Sequence, residues 1–211
     1  MTVSRDDAFS GERSLRQRYE LGQVDAGWIS RWFADANGGE HGRAHDEIYV
    51  RWYHKFEDGF QGVPPKMARL RSLGPGFEKR FTVHYWIDSN SDNREIVADV
   101  QVPFSTQASR NGWWPIQRSD FHYADPANVG RWVCHEMYVK NNTPGMTDGV
   151  VRFWADGQLL IERTEADLRG ATQFNFNEAV LDGYWNGGAP AAQSRYFDDF
   201  VLSTARIGCE E

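Results

Sequence analysis

The run Tyr49-Val50-Arg51-Trp52-Tyr53-His54-Lys55-Phe56 alternates strictly. A period of two predicts a half-buried β-strand. One side carries Val50, Trp52, His54 and Phe56, and the other Tyr49, Arg51, Tyr53 and Lys55. Further short alternating runs follow, separated by Gly, Pro, Asn and Asp clusters, and no segment shows a long helical period. Such a pattern predicts an all-β sandwich or barrel. Strands are expected over 13–20, 26–33, 47–56, 80–88, 95–102, 131–140, 149–156, 158–164, 172–178 and 195–203. Turns are expected at 36–39, 72–76, 142–145, 155–157 and 185–188, where Gly, Pro, Asn and Asp gather. Asp156-Gly157 between two alternating runs predicts a tight hairpin over 149–164. The stretch 103–130, with Trp113, Trp114, Phe121, His122 and Tyr123, reads as a long irregular loop. No linker or repeat divides the chain, so 1–211 reads as a single domain.

The net charge of −7 argues against a nucleic-acid or membrane-surface binder, and no apolar run is long enough to span a bilayer. Met1-Thr2-Val3-Ser4-Arg5 leads straight into polar sequence without a secretion signal. Cys134 and Cys209 leave two readings open: one disulfide, which suits a secreted or periplasmic protein, or two buried thiols. No metal-binding or phosphate-binding motif is present. Asp198 and Asp199 are candidates for a structural Ca²⁺, or for backbone hydrogen bonding beside the last strand.

Aromatic residues make up 14% of the chain, including nine Trp, more than a core readily absorbs. Taking the more apolar side of each strand as core leaves a distinctive set outside. If these strands share one sheet, its outer face holds Arg51, Tyr53, Lys55, His84, Trp86, Glu136, Tyr138, Lys140, Arg152 and Trp154. Asn175 faces out of the 172–178 run, and His54 and His135 fall on core sides as structural histidines. Five cationic or imidazole groups against one carboxylate, interleaved with rings, suit an anionic polysaccharide or oligosaccharide.

Four segments carry a family resemblance: 49–60 (YVRWYHKFEDGF), 65–70 (PKMARL), 132–157 (WVCHEMYVKNNTPGMTDGVVRFWADG) and 197–201 (FDDFV) followed by 206–209 (RIGC). Together they resemble the concanavalin A-like jelly-roll polysaccharide lyases that cleave alginate and glucuronan. The resemblance implies a β-sandwich of two curved antiparallel sheets, with substrate across the concave one, and cleavage of a uronate chain by β-elimination without a required cofactor. Lys66 matches the family's lysine position. The strand 81–88 presents His84 and Trp86 where family tyrosines are expected, which moves the base to His84 or Tyr53. On that basis Arg51 and Lys66 neutralise the uronate carboxylate, His84 or Tyr53 removes the C5 proton, and Tyr138 protonates the leaving oxygen. Trp86 and Trp154 stack on sugar rings, with Lys55, Glu136, Lys140, Arg152 and Asn175 as further substrate contacts. The alternative is a non-catalytic carbohydrate-binding module or lectin on the same fold, which needs no poised base. A glycoside hydrolase ranks lower, because the face offers Glu136 with Asp88 only at a strand end.

Overall fold

The computed structural model describes residues 1–34, 42–62, 64, 66–88, 95–123 and 125–209. Its strands are β1 (Thr2–Ser4), β2 (Ser14–Tyr19), β3 (Ile29–Trp32), β4 (Glu47–Phe56), β5 (Lys66–Leu73), β6 (Lys79–Ile87), β7 (Glu95–Gln101), β8 (Trp113–His122), β9 (Val133–Lys140), β10 (Gly149–Ala155), β11 (Gln158–Ala166), β12 (Glu178–Leu181) and β13 (Gln193–Ser203). One 3-10 turn spans Pro75–Phe77. The strands build two antiparallel sheets that pack as a jelly-roll sandwich. A seven-stranded sheet runs β1-β2-β13-β4-β9-β10-β11, and a six-stranded sheet runs β3-β12-β5-β6-β7-β8.

On β4, β6, β9 and β10 the alternation puts the expected apolar side chains inward. Val50, Trp52 and Phe56 of β4 and Met137 and Val139 of β9 face Phe81, Val83, Tyr85 and Ile87 of β6 across one core. Asp156 and Gly157 form the two-residue turn between β10 and β11. Both have positive φ, +47° and +77°, as a hairpin turn of this length requires. The turn expected at 36–39 lies outside the described residues.

Three expectations are corrected. The stretch 103–130 contains the ten-residue strand β8. It is an edge strand, where Pro115 has no second neighbour to donate to. Residues 172–178 are not a strand: Phe176 makes an isolated bridge to His45, and pairing resumes only at Glu178. Lys66–Leu73, absent from the expected strands, form β5.

His54 and His135 lie between the sheets as expected, in a buried polar chain. Tyr85 Oη is 2.9 Å from His135 Nδ1, Tyr123 Oη is 2.8 Å from His135 Nε2, and His54 Nδ1 is 2.5 Å from Tyr123 Oη. Proton counting favours one direction. If His54 Nδ1–H donates to Tyr123, Tyr123 to His135 Nε2, and His135 Nδ1–H to Tyr85, then Tyr85 can donate to the Trp154 carbonyl, 3.4 Å away. Every proton is then used, and only the His54 Nε2 lone pair lacks a partner. The reverse direction strands an N–H, which costs more. Tyr123→Phe leaves both imidazoles short of a partner and is expected to destabilise by about 2–4 kcal/mol. Urea unfolding reads this directly, and a change under about 0.5 kcal/mol would contradict the chain.

Burial holds His54 and His84 well below the usual histidine range and His135 at about 3. Nearby cations add to the shift at all three. All three are neutral in the folded protein at pH 7. The unfolded chain protonates them near 6.5, so below that pH it binds more protons than the fold does. Their stabilising contribution is therefore present above pH 6.5 and lost as pH falls, by about 1.4 kcal/mol per unit and site. The urea midpoint is expected to drop steeply between pH 7 and pH 5. A midpoint that holds or rises over that window contradicts the neutral assignment.

Candidate active site

The two sheets turn their outer faces in opposite directions, and this divides the residues read as one surface. Arg51, Tyr53 and Lys55 on β4, Glu136, Tyr138 and Lys140 on β9, and Arg152 and Trp154 on β10 belong to the seven-stranded sheet. Lys66 on β5 and His84 and Trp86 on β6 belong to the six-stranded sheet. Stacked sheets lie about 10 Å apart before outer side chains are counted. Tyr53 and Tyr138 therefore cannot exchange protons with a sugar held by His84 and Lys66.

Chain termini cover much of the seven-stranded face. Phe9 stacks on Tyr53 with centroids 3.5 Å apart, and Asp7 pairs with Lys55 at 2.7 Å. The Arg51 guanidinium lies 5.1 Å from the Tyr53 ring. At the other end, the Ile207 and Gly208 N–H groups donate to the Glu136 carboxylate at 2.9 and 3.3 Å. Arg206 lies over Trp154 at 4.9 Å. A Cys134–Cys209 disulfide ties this tail down and settles the cysteine question. Tyr138 donates to Glu47 at 2.6 Å and stacks on Tyr49. Burial, then that carboxylate, pushes its phenol well above the usual tyrosine range. Arg152 pairs with Glu162 at 2.6 Å, and Lys140 is exposed at the strand end. Asn175 is off both faces, accepting from Arg169 at 2.6 Å. Asp198 and Asp199 accept from Phe9 N, Ser10 N and Ser10 Oγ. Among the described residues no group of three or more His, Cys, Asp or Glu side chains is placed to hold a metal.

The six-stranded face is built differently. β5 sends out Lys66, Arg69 and Arg71, with Arg69 opposite His84 and Lys66 opposite Trp86 in the β5–β6 register. Asp182 holds Arg69 at 2.7 Å, and Glu178 holds Arg71 at 2.5 Å. The Lys66 ammonium sits 3.2 Å from the Trp86 ring centroid. This contact is worth about 0.5–2 kcal/mol. Trp86 thus positions the ammonium rather than offering that ring face to a sugar. His84 packs against Trp86 at 4.0 Å and parallel to Trp113 at 5.7 Å. It is 3% exposed, and among the described residues neither ring nitrogen has a hydrogen-bond partner. Burial, reinforced by Arg69, Lys66 and Arg71, keeps it neutral.

Tyr184, like Arg69 and Arg71, was not read as a site residue from the sequence. Glu178, Val180 and Asp182 alternate outward, and Tyr184 continues the alternation through an antiparallel bridge to Asp25. Trp185 turns inward against Tyr19, whereas Tyr184 is 43% exposed. Its phenol is therefore on the outer side, one strand repeat beyond Asp182. The alternation was the available signal, but Gly183 interrupts the run.

Beneath this face lies Arg195, fully buried on β13. Its guanidinium crosses the core from the other sheet. It donates to Gln17 Oε1 at 2.7 Å, to the Lys66 carbonyl at 3.1 Å and to the Asp182 carbonyl. It thereby fixes the backbone at two residues whose side chains stand on the candidate site.

No known family model matches the chain, and no curated protein does. Solved structures share its fold. The PL-14 alginate lyase from Aplysia kurodai superposes with a TM-score of 0.67 at 16% identity, over 97% of this chain and 87% of that one. Alginate lyase vAL-1 from Chlorella virus gives 0.68 at 15% identity, over 95% and 88%. The endo-β-1,4-glucuronan lyase from the fungus Trichoderma reesei gives 0.62 at 16% identity, over 97% and 87%.

Proposed function

We propose that this protein is a polysaccharide lyase that cleaves a uronate-containing polymer by β-elimination on the outer face of its six-stranded sheet. The observation that carries the reading is His84, a buried neutral imidazole with both nitrogens unpartnered among the described residues, beside a row of cations. A buried polar group without a partner costs about 1–3 kcal/mol, and catalytic groups are a recurrent reason such a cost is retained. The lyase folds it shares support the same reaction class.

In this reading Lys66 neutralises the uronate carboxylate, with the field of Arg69 and Arg71 behind it, and so acidifies the C5 proton. His84 takes that proton. The C5–H electrons form the C4–C5 double bond, the bond from C4 to its oxygen breaks, and the Tyr184 phenol returns a proton to the leaving oxygen. The chemistry calls for no cofactor. The disulfide fits an exported protein in an oxidising compartment.

The test is ultraviolet absorbance of unsaturated uronate ends on alginate, glucuronan, pectate and glycosaminoglycans. A rise on one polymer is expected, with Lys66→Ala weakening it through both KM and kcat and Tyr184→Phe mainly through kcat. Retention of a uronate polymer in an affinity gel with no rise on any substrate would instead make this a binding module.

A further inference from the structure

The seven-stranded face is not wholly covered. Between the N-terminal segment and the disulfide an open cavity of about 400 Å³ remains, lined by Phe9, Tyr53, Trp132, the Cys134–Cys209 bridge and the Asp156-Gly157 turn. That volume falls in the range of about 300–1,000 Å³ typical of small-molecule sites.

Its walls are aromatic and held in place. The Phe9 ring lies 12° from parallel on Tyr53, and Trp132 stands edge-on to Phe9 at 6.2 Å, making a corner of two rings. Trp132 is fixed by its own hydrogen bond, Nε1–H to Asp7 Oδ1 at 3.1 Å, and by an edge contact to Tyr196. Phe9 is fixed through its backbone N–H, which Asp198 accepts at 2.9 Å. Both rings are only half-buried. Rings locked before binding lose little freedom on meeting a ligand.

The charges at the rim are matched. Asp7 pairs with Lys55 at 2.7 Å, and Asp156 pairs with Arg131 at 2.7 Å while accepting the Cys134 N–H at 3.0 Å. A carboxylate ligand would find Lys55 and Arg131 already paired with Asp7 and Asp156, whereas hydroxyl groups find the remaining lone pairs of Asp156 beside the aromatic rings. This is the opposite balance to the Lys66 side of the molecule.

We propose that this corner is a second, non-catalytic saccharide site that takes uncharged pyranose units. It would anchor the protein on a neutral glycan while the opposite face works on an anionic one. The proposal stands on the cavity's own geometry and does not need the lyase reading.

Affinity electrophoresis through gels containing a neutral β-glucan, a mannan or a xylan, and separately through an alginate gel, tests it. Wild-type protein is expected to be retarded by at least one neutral glycan, with Trp132→Ala and Phe9→Ala each weakening that retention at least tenfold. Alginate retention in both variants and in wild type should be the same. Lys66→Ala should behave in the reverse way. Circular dichroism and an intact disulfide establish that each variant is folded, and Phe9→Ala serves if Trp132→Ala is not. No retardation on any of the three neutral glycans overturns the proposal. So does retardation that both folded variants keep, and so does loss of alginate binding in place of neutral binding. Failure of the lyase reading shows separately, as absence of unsaturated ends.

Discussion

His84→Ala is expected to lose turnover on the uronate polymer by about 10²–10⁴-fold, the usual contribution of a positioned general base. Binding should stay within about threefold, because Lys66 carries the carboxylate contact. His84→Gln keeps much of the volume between Trp86 and Trp113 and should lose as much, which separates chemistry from packing. The pH profile gives an independent reading. A base must be unprotonated, and burial and neighbouring cations lower this imidazole's pKa. The acid limb of kcat/KM should therefore lie below pH 6.5, with activity flat from pH 8 down to that point. Wild-type folding has to be checked at each pH, since three buried histidines weaken the fold over the same range. Undiminished turnover in both variants, or an acid limb above pH 6.5, would remove His84 from the role.

Arg195→Met is expected to destabilise the protein by about 3–5 kcal/mol. Replacing a buried charge by an apolar side chain can be neutral when its partners are replaced as well. Here the partners stay: the carbonyls of Lys66 and Asp182 and the amide oxygen of Gln17 would all be left in a dry interior. The methionine also gives up the packing of the guanidinium on Phe197, at 5.0 Å. Arg195→Lys reaches fewer acceptors and should fall between the two. Urea unfolding gives the magnitude, and amide exchange gives the location. Protection should fall first around Met67–Arg69 and Leu181–Tyr184, where the two carbonyls are anchored. An unchanged midpoint, or exchange that rises uniformly, would show that Arg195 does not clamp these strands.

Much of the fold was legible because alternation is a local property. A strand with one buried side cannot slip by one residue without reversing it. The inward sets of β4, β6, β9 and β10 could therefore be read from composition alone. The Asp156-Gly157 hairpin was legible for a similar reason, since a two-residue turn with positive φ selects its own residues. β8 was hidden by Pro115, which argues against a strand unless the strand is known to lie at an edge. Tyr184 was hidden because its position depends on a single bridge past a glycine.

The candidate site was only partly legible, and the reason lies in pairing. Alternation assigns a side chain to one side of its own strand but carries no information about which sheet that strand joins. Arg51, His84 and Arg152 look alike in sequence: each is polar, outward and set among rings. Only the long-range ladders, β4 with β9 and β5 with β12, send His84 to one face of the molecule and Arg51 and Arg152 to the other. The β5–β6 hairpin then sets Arg69 and Lys66 beside His84 and Trp86. The covering of Tyr53, Glu136 and Trp154 by Phe9 and the 206–209 tail likewise depends on contacts between residues far apart in the chain. Alternation between neighbouring residues sets the inner and outer sides of β4, β6, β9 and β10, so these were readable along the chain. Which outer sides meet depends on partners distant in the chain, so it is fixed only once the two sheets have formed.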